Sequence, residues 1–293
     1  MNELYVHSTL VKRLGDLDPF VWVDRLQGKV YRQVAQRRTL RVKIDGQILF
    51  LKRHHGVGWI EICKNLLAGR LPVLGAGNEF RAARTLGAAG LSVPEPVAYA
   101  ERGDNPASRE SFLLSRAIEP SMSLEDLAKT WRDERPLVAD RWRLLLAVAD
   151  MVALMHQCGV NHRDLYICHF LLRPETLSAV PDLTLIDLHR AQIRLSVPPR
   201  WLVKDLGALW FSAADTLPTR RDAYRFICRY SKRSLREELG DANRAKFWQS
   251  VRDRAKQLHI EAERKGLVRF PDPFDEPVST SFSKSVGESS IGQ

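Results

Sequence analysis

The sequence predicts an α+β fold in two lobes, a small antiparallel sheet followed by a larger, mainly helical body. Three observations carry that prediction. Strand-like runs gather in the first third of the chain, at 28–34, 38–45 and 47–52. Long stretches of helical period follow, over 137–157 and 219–266. Between these lie two apolar runs too short for helices, Phe170–Leu172 and Leu183–Ile186, flanked by two acidic residues, Asp164 and Asp187.

The chain has 293 residues, enough for two lobes with cores of ordinary size. No apolar run approaches the ~18 residues that a membrane-spanning helix needs. The start, Met1-Asn2-Glu3-Leu4-Tyr5, lacks the basic-then-apolar pattern of a secretory signal, so a cytoplasmic protein is expected. Cys63, Cys158, Cys168 and Cys228 are scattered without a Cys-x-x-Cys pair. Neither zinc nor a disulfide framework is indicated, and packed, reduced thiols are expected. The net charge of +10 points to an acidic partner. An anionic membrane surface, a phosphorylated lipid or an acidic protein such as an acyl carrier protein would each fit. Nucleic acid is set aside, because no RRM, zinc-finger or helix-turn-helix signature is present.

Residues 1–27 carry Leu10, Leu14, Phe20, Trp22 and Leu26 without a clean period. They read as a lead-in, with the small lobe proper at 28–117. Asp45-Gly46 joins the second and third strands and is a hairpin signal, since both residues tolerate positive φ. Lys52 ends the apolar run Ile48–Leu51. In the insert 56–77, Trp59, Ile62, Cys63, Leu66 and Leu67 share one helical face, with Lys64 and Arg70 away from it. That face either packs on the small lobe or meets a membrane or lipid acceptor. Glu79 opens the next helix, where Phe80, Ala83 and Leu86 fall at helical spacing. Val93-Pro94-Glu95-Pro96 is a turn before a strand over 97–102, and another strand over 111–115 leads to the connection between lobes, 116–120.

The large lobe is expected at 118–275. Ser123-Leu124-Glu125-Asp126 reads as a capping box. The helix over 137–157 ends before Gly159, and His156 on it reads as a satisfied core histidine. The stretch Asn161–Arg190 then organises the chain. If its two apolar runs pair as a hairpin, Asp164 and Asp187 converge on one edge. One carboxylate can then take the proton of an acceptor hydroxyl while the other holds Mg²⁺ on nucleotide phosphates, the protein-kinase-like layout. His162-Arg163-Asp164 by itself is a weak signal. The second Asp and the upstream Lys52/Glu79 pair make it stronger. Asp205 opens a further helix. The short interval between Asp187 and Asp205 leaves no room for a peptide-substrate platform, so a sugar or other small acceptor is expected. Residues 219–266 are helical and basic, and 276–293 form a Ser/Gly-rich flexible tail.

His162-Arg163-Asp164-Leu165-Tyr166-Ile167-Cys168-His169-Phe170-Leu171-Leu172 resembles the lipopolysaccharide core heptose(I) kinase family, relatives of the Kdo kinases and, distantly, of protein kinases. The resemblance runs from about Lys29 to Phe270. It implies a two-lobed protein-kinase-like fold and transfer of the γ-phosphoryl group of ATP to the first heptose of the lipopolysaccharide inner core, at the inner-membrane surface. Asp164 and Arg163 would be catalytic, and Asp187 with His169 would hold Mg²⁺. Lys52, oriented by Glu79, and Arg38 would bind the phosphates, with Arg37 beside Arg38 in a connection that has no glycine. Asp205 would hold the backbone of the His-Arg-Asp loop. His169 stands where protein kinases have Asn, and Leu188-His189 where they have Phe-Gly. Two alternatives stay open: a kinase for Kdo or another small acceptor, and a non-catalytic scaffold that binds nucleotide or anionic lipid.

Overall fold

The computed structural model describes residues 1–34, 36–67, 72–216 and 218–267. The small lobe begins earlier than the sequence suggests. β1 (Glu3–Val6) is followed by α1 (Ser8–Leu14) and α2 (Pro19–Asp24). The Asp18 carboxylate starts α2 by accepting the backbone N–H groups of Phe20 and Val21, and Pro19 takes the first turn, where its missing N–H has no partner to lose. Leu10, Phe20, Trp22 and Val23 are buried against the sheet, so residues 3–24 belong to the lobe's core rather than to a lead-in. Each of these elements is shorter than the window over which helical period shows, which hid them in the sequence.

β2 (Gly28–Val34), β3 (Arg37–Ile44) and β4 (Gln47–His55) form an antiparallel meander. Asp45 and Gly46, at φ of 49° and 79°, make the expected tight turn. After α3 (Gly58–Leu67) and α4 (Gly77–Ala88), β5 (Pro96–Arg102) and β6 (Glu110–Arg116) complete a six-stranded antiparallel sheet in the order β1-β5-β6-β4-β3-β2. Alternation sorts the residues. Leu40, Val42, Leu49 and Leu51 face the cluster under α1 and α2. Arg37, Thr39, Lys52 and His54 take the other face by register, with Thr39 opposite Lys52 and Arg37 opposite His54. α3 turns only Ile62 inward, while Trp59, Ile60, Cys63, Leu66 and Leu67 are exposed. Cys63 is therefore not the packed thiol expected of it. Arg70 of this insert lies outside the described residues, as does the tail at 276–293.

The large lobe holds β7 (Met122–Ser123), α5 (Leu124–Asp133), α6 (Val138–Gln157), β8 (Val160–Asn161), β9 (Phe170–Leu172), β10 (Leu183–Leu185) and β11 (Gln192–Ile193). The helices α7 (Pro199–Ala213), α8 (Arg220–Ser231), α9 (Leu235–Gly240) and α10 (Ala242–Glu263) follow. Leu144, Val148, Val152 and Met155 recur on one face of α6 and enter a core with Leu165, Phe170, Leu172 and Leu185. β9 and β10 pair as the predicted hairpin, Leu172 opposite Leu183 and Phe170 opposite Leu185. β8 pairs with β11 just below it. Gly159 makes the approach to β8 possible: its φ is 73°, and a Cβ there would lie 1.8 Å from the Arg194 carbonyl oxygen. Among the described residues no helix is long and apolar enough to cross a membrane.

Candidate active site

The hairpin brings Asp164 and Asp187 to one cleft, and His169 spans the gap between them. Its Nδ1–H donates to the Asp164 carbonyl at 2.7 Å, and its Nε2 lies 3.6 Å from Asp187 Oδ2. The loop that carries Asp164 is fixed from behind. Asp205, fully buried at the middle of α7, accepts the backbone N–H groups of His162 at 2.6 Å and Arg163 at 2.8 Å. His162 donates through Nε2 to the Ile186 carbonyl at 3.0 Å, tying the loop to the segment that leads from β10 to Asp187. These bonds hold Arg163 and Asp187 at φ of 72° and 63°, left-handed conformations that persist only where surroundings dictate them. Asp205 thus does what the sequence reading assigned to it. His156 does too, buried between Tyr230 and Asp205.

Asp187 is ringed by cations and imidazoles. His189 donates from Nδ1 to Oδ1 at 2.6 Å, Lys52 Nζ lies at 3.8 Å and Arg37 at 3.9 Å. Burial alone would raise its pKa. The bond from His189 and the charges of Lys52, His189 and His169 outweigh burial and hold the carboxyl well below the usual range. Lys52 also pairs with Glu79, buried on α4. Stacking of Phe80 on Tyr99 at 4.2 Å seats that helix against the sheet. His54, two residues beyond Lys52, is pushed down to about 3, first by burial and then by Arg37 and Lys52.

Mg²⁺ takes oxygen ligands, keeps several waters and commonly uses one or two protein carboxylates together with substrate phosphates. Asp187 fits that description. His169 has the orientation of a ligating histidine, one ring nitrogen bonded to a carbonyl and the other turned toward Asp187. Among the described residues no cluster of three or more His, Cys, Asp or Glu side chains could enclose an ion. The donor set therefore fits an ion shared with nucleotide phosphates rather than a closed protein cage.

Two expected residues stand elsewhere. Arg38 is exposed and by strand alternation points to the face opposite Lys52, so Arg37 alone of this pair is turned to the cleft. Arg163 lies over the Trp201 ring, 5.4 Å from its centroid, and makes no ion pair with Asp164. Arg190 does instead: one guanidinium nitrogen is 2.7 and 2.9 Å from the two Asp164 oxygens. Arg190 and His189 escaped the sequence reading. The only signal was the departure at Leu188-His189, which gave no hint of which carboxylate each residue meets.

A cavity in the large lobe lies apart from this cleft. It is lined by Leu124, Trp131, Leu144, Val148, Leu209 and Trp248 among others, and none of the residues holding Asp164 or Asp187 borders it.

The sequence model of the lipopolysaccharide kinase (Kdo/WaaP) family matches residues 21–230. The chain belongs to this family. It is 47% identical over 251 residues to the lipopolysaccharide core heptose(I) kinase WaaP of Pseudomonas aeruginosa, covering 85% of this chain and 93% of that relative. With the protein of the same description from Escherichia coli K12 it shares 41% over 252 residues, covering 85% and 94%. A solved structure, WaaP in complex with acyl carrier protein, superimposes with a TM-score of 0.75 at 41% identity, covering 88% of this chain and 99% of that one. As a member of the lipopolysaccharide kinase family the protein is a phosphotransferase with a kinase-like fold, in agreement with the two-lobed architecture read from the sequence.

Proposed function

We propose that the protein transfers the γ-phosphoryl group of ATP to a hydroxyl of the first heptose of the lipopolysaccharide inner core. The observation that carries this reading is the convergence of Asp164 and Asp187 through His169, beside the Lys52–Glu79 pair, in a chain of this family. Lys52 and Arg37, the cations beside Asp187, would meet the phosphates, and Asp187, with Nε2 of His169, would hold Mg²⁺. The bound ion would neutralise charge on the transferring group. Asp164 would orient the acceptor hydroxyl and receive its proton. Arg190, which contacts both Asp164 oxygens, would hold the carboxylate in place. Incubation with ATP and core-truncated lipopolysaccharides, followed by mass spectrometry, tests the assignment. New phosphate on the first heptose is expected; phosphate only on another sugar, or none, removes it.

Two partners follow from surface and interior. An acyl carrier protein combines an acidic body with an apolar chain, and the basic helices α8 and α10 together with the large-lobe cavity fit both parts. Co-elution of the two proteins in size-exclusion chromatography supports this partner, and separate elution removes it. The exposed arc of α3 suits the interface of the inner membrane, where the acceptor would be anchored: Ile60 is 87% and Leu67 90% exposed. The Arg229–Arg236 stretch contributes less charge than its sequence suggests, because Arg229 is held by Asp150 and Arg233 by Glu238. Co-sedimentation with anionic liposomes that survives high salt would assign binding to the α3 arc, while loss in Trp59→Ser and Leu67→Ser is the expected signature.

A further inference from the structure

Trp201, in the first turn of α7, stands inside a ring of cations. Lys204 Nζ is 4.5 Å from the indole centroid, the Arg163 and Arg200 guanidinium carbons 5.4 Å, and that of Arg194 5.7 Å. An aromatic face attracts each of them. It does not remove the repulsion of four like charges held around one side chain. Among the described residues no carboxylate pairs with Arg163, Arg200 or Lys204. Arg194 bonds only the neutral amide oxygens of Asn161 and Gln192, both at 2.5 Å. Asp205 beneath them has its oxygens turned to backbone N–H groups. The repulsion registers in the groups themselves. Burial first, then Arg190, lowers the pKa of Arg163 against the opposing charges of Asp164 and Asp205; burial, then Arg254, Arg163 and Arg200, lowers that of Lys204. The indole N–H of Trp201 is buried with no acceptor. Some surface cations elsewhere are paired along their helix, as Lys129 is to Asp126 and Arg244 to Asp241; what sets the Trp201 group apart is the gathering of four around one indole.

The position of this ring tells which ligand it serves. Arg163 is bonded in sequence to Asp164, and Arg190, which neighbours Arg163, grips the Asp164 carboxylate. From there the cluster runs along α7 in the large lobe. The other carboxylate, Asp187, has its own cations, Lys52 and Arg37, and none of the Trp201 group pairs with it.

The geometry points to an anion subsite made by Arg163, Arg194, Arg200 and Lys204 around Trp201, which takes a carboxylate or phosphate carried by the acceptor glycan beside its accepting hydroxyl. It rests on the reading of Asp164 as the residue that meets that hydroxyl. Arg200 and Lys204, both exposed, make the first contact, and the half-buried Arg163 and Arg194 back them. Holding an acidic group there fixes the neighbouring sugar against Asp164, so the acceptor's own charge becomes the handle by which it is positioned.

The test uses the full-length protein with Arg200→Gln, Lys204→Gln and the double variant, which keep much of the side-chain stems. The acceptor is lipopolysaccharide core supplied intact, with carboxyl groups reduced to alcohols, or dephosphorylated. The double variant is expected to raise the acceptor KM about 10-fold or more, since two charge-assisted contacts are lost at a partly exposed site. Its kcat, ATP KM and melting temperature stay unchanged. The penalty vanishes with the carboxyl-reduced acceptor if a carboxylate is the ligand, and with the dephosphorylated one if a phosphate is. An equal penalty with all three acceptors, or none with the intact one, overturns the subsite. Calorimetric titration of the deacylated core oligosaccharide without ATP separates this from the phosphotransfer reading. Binding that the double variant loses, in a protein that adds no phosphate to heptose, keeps the subsite and removes the heptose assignment. Heptose phosphorylation with unchanged binding in the variant does the reverse.

Discussion

Asp164 and Asp187 are the same residue type at the edge of one small hairpin, yet they keep opposite company. Asp187 is pressed by Lys52, Arg37, His169 and His189, and its carboxyl is held well below the usual carboxylate range. Among the described residues Asp164 has a single ion pair, with Arg190, and lies beside Arg163, Arg200 and Lys204, which pair with no carboxylate there. A group that must hold a divalent ion gains from permanent charge. A group that handles a hydroxyl proton gains from one oriented contact and an open side. The chemistry is thus divided by arrangement of charge, not by residue type.

The sharpest way to break this division is Asp164→Ala, expected to lower kcat about 10³-fold with unchanged ATP affinity, because the lost group acts on the acceptor alone. Turnover measured beside equilibrium ATP binding decides it. Asp187→Asn keeps the shape and removes the charge. It should weaken Mg²⁺-dependent ATP binding and turnover together, by about 10²-fold, read as a displaced Mg²⁺ titration. An unaltered Mg²⁺ dependence would take the ion away from Asp187. Arg190→Ala leaves the nucleotide side intact and frees Asp164, so kcat should fall about 10-fold with ATP binding preserved. Arg190→Lys should recover only part, since a point charge does not reproduce the guanidinium plane.

The smallest effect concerns the buried positive field around Asp187. His54 is held neutral, its pKa pushed down to about 3 by burial and then by Arg37 and Lys52. An unfolded chain binds a proton at that ring near pH 6.5, whereas the folded chain does not until about pH 3. The unfolded state therefore holds more protons throughout that window, and stability falls as pH falls through it. Between pH 7 and 6 the contribution is about 0.7 kcal/mol, seen as a steeper pH dependence of urea unfolding in the native protein than in His54→Gln.

The strand alternation that points Lys52 and Arg37 one way also shows how far the sequence could be followed. The meander, the hairpin, the helices and the acidic residues at the hairpin edge were all legible, because hydrophobic period and turn residues are local signals. Register was not. Residues 35–38 read as a connection; only because β3 already runs as a strand from Arg37 does the alternation of Leu40 and Val42 extend back and turn Arg37, not Arg38, to the cleft. Residues 3–24 were missed for a related reason: β1 acquires its meaning only from β5, far along the chain.

By itself the sequence determined the two lobes and the short apolar runs that pair as β9 and β10; the family resemblance supplied the Lys52–Glu79 pair and the role of Asp205, which lies in the middle of α7 and not at the helix start where the sequence placed it. Only the tertiary structure decided which cation meets which carboxylate. Arg163 adjoins Asp164 in the chain but lies on Trp201, while Arg190, distant in sequence, takes the Asp164 carboxylate. The backbone bonds from Asp205 turn Arg163 to positive φ and so aim its side chain away from its neighbour. Long flexible cations settle where packing and charge leave room, and that balance is struck among segments that no local pattern connects.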